Sequence, residues 1–80
     1  MRIKLRHYKY AGKDMADLVA SGSSDGIHAV FKQLVEMISL ETTDTDRLRA
    51  REAFFSAYEH QTARLEGRVL GANDKPDSEG

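Results

Sequence analysis

Apolar residues recur along this chain with three different spacings, and each spacing predicts a different element. In "RIKLRHYKY", Ile3 and Leu5 alternate with Arg2, Lys4 and Arg6, the period-two pattern of a strand with one apolar and one wet face. The alternation predicts a strand over residues 2–9, with Tyr8 on the basic side. A lone strand leaves backbone groups unpaired, so it calls for a partner strand from a second copy or from another protein.

"GKDMADLVAS" places Met15, Leu18 and Val19 at helical spacing, with Asp14 and Asp17 near the positive N-terminal end. It predicts a short helix ending at Gly22. From Ile27 the apolar residues run Ile27, Val30, Phe31, Leu34, Val35 and Ile38, an unbroken i, i+3, i+4 stripe that predicts a second helix. Thr43 and Asp46 then resemble a capping box, with Asp shorter than the usual Glu. After them, no Gly or Pro occurs before Gly67, so a third helix of about 22 residues follows. Its expected seam is Leu48, Phe55, Thr62 and Val69, with Arg51, Tyr58 and Leu65 between and Phe54 and Ala57 widening the face.

The pattern as a whole reads as a mainly α fold: one short N-terminal strand, then two or three helices with a helical-hairpin core, paired through strand or helix as a homodimer. Residues 1–70 form one small domain. The tail "GANDKPDSEG" reads as polar and disordered.

Composition narrows the possibilities. Eighty residues bury well under three quarters of their unfolded surface, and no cysteine is present to staple them. No apolar run approaches the roughly 18 to 20 residues of a membrane span, and the basic start lacks the apolar stretch of a secretory signal. A cytoplasmic protein with no membrane contact is therefore expected. The net charge of −1 conceals segregation. Residues 1–13 carry Arg2, Lys4, Arg6, Lys9 and Lys13 and no acid, whereas residues 14–46 set seven acids against Lys32 alone. This asymmetry marks either an anion-binding face or complementary surfaces within the protein or a dimer.

The stretch from Gly22 to Gly26 contains a literal G-x-S-x-G. A nucleophile elbow needs a strand before the serine, and the residues before Ser24 read as helix. Capping accounts for the whole stretch: Gly22 ends one helix, Ser23 or Ser24 caps the next, and Asp25 meets the helix dipole, with Gly26 merely tolerated. Phosphate binding at this helix start lacks the Walker lysine and faces the charge of Asp25. His7, His28 and His60 lack the i, i+4 pairing of a zinc site, and "DTD" at 44–46 meets Arg49 and Phe55 where a calcium loop needs Gly and Glu. Met15 and Met37 read as core fillers. The sequence thus carries no catalytic, cofactor or metal residues, and the expected activity is non-enzymatic.

Two functions remain. The first is a protein-interaction module, a regulator, inhibitor or assembly factor binding another protein or itself. Its candidate faces are Phe54, Phe55, Tyr58 and Leu65, and Arg2, Lys4, Arg6, Tyr8 and Lys9, the latter as a strand added to a partner's sheet. In the second, the order strand, short helix, turn, longer helix from Arg2 to about Leu40 resembles the ribbon-helix-helix family of DNA-binding regulators. That resemblance implies a paired ribbon in the major groove, with Arg2, Lys4 and Arg6 facing bases and Gly22, Ser23 and Ser24 offering N–H groups to phosphate.

Overall fold

The basic N-terminal segment is helical, not extended. In the computed structural model, which describes the backbone of residues 1–71 and the side chains of residues 1–67, α1 runs Leu5–Ser21, α2 Ser24–Ser39 and α3 Asp44–Gly71. No strand occurs among the described residues, and the fold is all-α. The alternation of Ile3 and Leu5 with basic residues is overridden by a longer helical stripe: Tyr8, Ala11, Gly12, Met15 and Ala16 are all buried on one face of α1. A helix also satisfies its own backbone, which an unpartnered strand does not. The strand over residues 2–9, its pairing in a dimer and the DNA-reading ribbon therefore all fall together.

Helix ends follow local chemistry. Gly22 takes φ 75°, its N–H donates to Val19 O at 3.2 Å, and the Ser23 N–H donates to Leu18 O at 3.0 Å, which together form a Schellman motif. Ser23, rather than Ser24, caps α2 by accepting from the Gly26 N–H at 3.3 Å. Thr43 Oγ1 accepts from the Asp46 N–H at 3.1 Å and caps α3. The reciprocal half of the expected box is replaced, because the Asp46 carboxylate lies 3.6 Å from the Met1 amino group.

Paired residues define the topology. Tyr8 meets Met37 and Leu18 meets Gly26, so α2 runs back along α1. Gly12 meets Phe54 and Tyr58, and Asp17 accepts from Gln61 at 2.8 Å, so α3 runs parallel to α1. The α1–α3 contact is close because small residues line both sides: Ala11, Gly12 and Ala16 against Ala50, Ala53 and Ala57. A Cβ added at Gly12 would overlap the Phe54 carbonyl oxygen, so the backbones could not approach this closely with any other residue there.

The seam of α3 is rotated from the expected one. Ala50, Ala53, Phe54 and Gln61 are buried, Tyr58, Thr62 and Leu65 are half-buried, and Leu48, Arg51 and Phe55 are exposed. The side chain of Val69 and the tail beyond Gly71 lie outside the described residues. α1 is central, packed on one side against α3 and on another against α2, while α2 and α3 scarcely touch. That arrangement leaves an open cleft between them.

Candidate interaction surfaces

The cleft is floored by Met15 and Val19 of α1 and walled by Phe31 and Leu34 of α2 and by Phe54, Phe55 and Tyr58 of α3, enclosing about 350 Å³. The α2 stripe explains it. Ile27, Val30, Leu34 and Ile38 turn onto the core, but a six-residue stripe is wider than one neighbouring helix can cover. Phe31 and Val35 consequently remain 56% and 52% exposed, opposite Phe55 at 56%. Of the expected partner face, Phe54 has moved into the core, Phe55 and Tyr58 line the cleft, and Leu65 belongs to a smaller hollow with Ala16, Val19 and Thr62.

On the other side of the α1–α3 contact lies a second cleft of about 350 Å³, this one basic. Lys9, Tyr10 and Lys13 on α1 face Ser56, His60 and Arg64 on α3, and no acid lines it. Helical spacing assembles it: residues 9 and 13 share one face of α1, and residues 56, 60 and 64 share one face of α3. Parallel helices then bring the two rows together. Gln61, which also lines the cleft, donates to the Asp17 carboxylate at 2.8 Å. Tyr10 is 60% exposed and packs edge-on against His7, with ring centroids 6.4 Å apart.

A polar knot fastens the segment before α1. The buried Glu41 carboxylate accepts from the Arg2 N–H at 2.9 Å, the Ile3 N–H at 3.0 Å and the Tyr8 hydroxyl at 2.7 Å. Burial alone would raise its pKa, but the three donors outweigh burial and hold the carboxyl below its usual range. Burial, together with the neighbouring carboxylate, pushes the Tyr8 phenol well above its ordinary value. Arg47 extends the knot by donating from Nε to the Glu41 carbonyl at 3.0 Å.

The expected basic site divides accordingly. Arg2, Lys4, Arg6 and Lys9 have exposed side chains, the first two ahead of α1 and the others in its first turns. Tyr8 is fully buried, with its hydroxyl spent on Glu41 and Met37, and cannot meet a partner. Among the described residues no group of three His, Asp or Glu could hold a metal ion, and no helix is long and apolar enough to cross a membrane. Sequence reasoning missed Tyr10, His60 and Arg64 because their juxtaposition arises only when α1 and α3 run parallel. It missed Phe31 and Val35 as surface residues because periodicity marks an apolar stripe without saying how much of it a neighbour covers.

No protein-family model matches the chain, and neither a curated protein nor a solved structure matches it.

Proposed function

We propose that this protein is a non-enzymatic protein-interaction module, a small regulator or assembly factor, whose docking surface is the apolar cleft over α1 and whose first occupant is a second copy of the chain. The observation that carries this reading is the exposure of Phe31, Val35 and Phe55 around one apolar recess. Exposed apolar groups gathered in one place, rather than scattered singly, favour association. A two-fold contact needs one patch that is complementary to itself. This one offers projecting aromatic rings beside a recess that can receive them. A chain this short, with an alanine-rich core, also gains most from covering its remaining apolar surface.

The test is sedimentation velocity over a wide concentration range, on the wild type and on Phe31→Glu and Phe55→Glu. The wild type is expected to dimerise, and each substitution to weaken the dimer at least about 30-fold with helix content unchanged, as for central aromatic anchors. A wild type that stays monomeric throughout would overturn self-pairing through this cleft.

A further inference from the structure

The basic cleft on the opposite side of the α1–α3 contact plays no part in that self-pairing. We propose that it binds single-stranded nucleic acid, with Lys9, Lys13 and Arg64 contacting successive phosphates and Tyr10 stacking on an unpaired base. Three observations converge. The cleft is lined by cations from two helices with no acid among its lining residues, and among the described residues none of Lys9, Lys13 and Arg64 forms an ion pair. Cations left without intramolecular partners while gathered on one surface create a positive potential that concentrates polyanions.

Second, the surface is not purely cationic. An acidic peptide would be served by lysines and arginines alone, but here a 60% exposed tyrosine stands among them, and His60 provides another flat ring in the same hollow. Aromatic rings set between phosphate-binding cations are the common feature of single-strand binding surfaces, because every base has a face to stack. The Tyr10 ring packs at a steep angle against His7 and still remains 60% exposed, so it has surface to offer a base. Third, a hollow of about 350 Å³ accepts one splayed base with its phosphate. A base stacked inside a duplex could not reach Tyr10, so the fit is to a single strand, whether DNA or RNA.

The experiment is fluorescence anisotropy of the full chain with labelled oligo(dT) and oligo(rU), at about 50 and 200 mM salt. Three phosphate contacts are expected to give a slope of log K against log salt near −2, a loss of about 20-fold between the two conditions. Replacing Lys9, Lys13 and Arg64 together with Gln should remove most of that slope. Tyr10→Ala should weaken binding by about 5- to 100-fold while leaving the slope unchanged, and Tyr10→Phe should restore it. All four positions are exposed, and circular dichroism verifies that the variants remain helical. A stronger response to oligo(rU) than to oligo(dT) would assign the strand to RNA, and the reverse to DNA. Absence of binding at the lower salt would overturn the proposal. So would equal binding of oligoglutamate that is indifferent to Tyr10→Ala, since that result would assign the cleft to an acidic protein. Neither result bears on the apolar cleft, whose residues are untouched by these substitutions.

Discussion

Gly12 and Gly26 look alike in sequence, each a glycine within a helix, yet the same substitution should act on them differently. Alanine normally adds about 1 kcal/mol to a helix interior in place of glycine. At Gly12 the new methyl would overlap the Phe54 carbonyl, a backbone atom that moves only if the helices part. Gly12→Ala is therefore expected to lose at least about 2 kcal/mol net in urea denaturation, overpacking outweighing propensity. At Gly26 the near atoms are the end of Leu18, which can turn aside, and the capping Ser23 hydroxyl, whose weakened bond the gain in helix propensity would offset, so Gly26→Ala should remain within about 0.5 kcal/mol of wild type. Glu41 gives a residue-scale effect of pH. Its folded pKa is depressed below the unfolded one, so its stabilisation is complete above the ordinary carboxylate range and is lost as pH falls through the folded value. Glu41→Gln should lower the melting temperature at neutral pH, and the gap between variant and wild type should close on acidification.

At the scale of elements, the caps were legible and the start of the first helix was not. The turn chemistry of Gly22, Ser23 and Thr43 acts locally, through bonds to residues three to five positions away, so a short window of sequence contains the whole cause. Ser23→Ala is expected to lose about 1 kcal/mol and Ser24→Ala almost nothing, because only the Ser23 hydroxyl accepts from the end of α2. The second half of α1 reads as the helix it is, ending at Gly22, but its first half reads as a strand because small residues make up much of the buried face. Ala11, Gly12 and Ala16 contribute little to any hydrophobic period, while Ile3 and Leu5, which did set the pattern, lie outside the tightly packed stretch. The same cause displaced the seam of α3. Its largest apolar groups suggested a face through Leu48 and Phe55, but the closest neighbour is met through Ala50 and Ala53, where size is least and approach is nearest. A seam chosen for close approach does not coincide with the seam of greatest hydrophobicity. The clefts inherit this limit, since both are defined by which faces the helices leave uncovered.

At the scale of the whole molecule, α1 is held from two sides and α2 from one. Amide hydrogen exchange should therefore find α1 the slowest element and α2 among the first to open, at concentrations where the protein is monomeric. Self-pairing through the apolar cleft would slow exchange in α2 selectively as concentration rises. The parallel course of α1 and α3 also governs the order in which the molecule can form. An antiparallel hairpin such as α1–α2 closes through its own short turn, but the contacts that bury the centre of α1 join positions such as Asp17 and Gln61, 44 residues apart. A chain whose main contact spans more than half its length pays its loop entropy late and folds more slowly than an up-and-down bundle of equal size. During synthesis from the N-terminus, the small-residue face of α1 must wait uncovered, even after α2 has docked on another side, until the first half of the third helix, through Ala57, has been made.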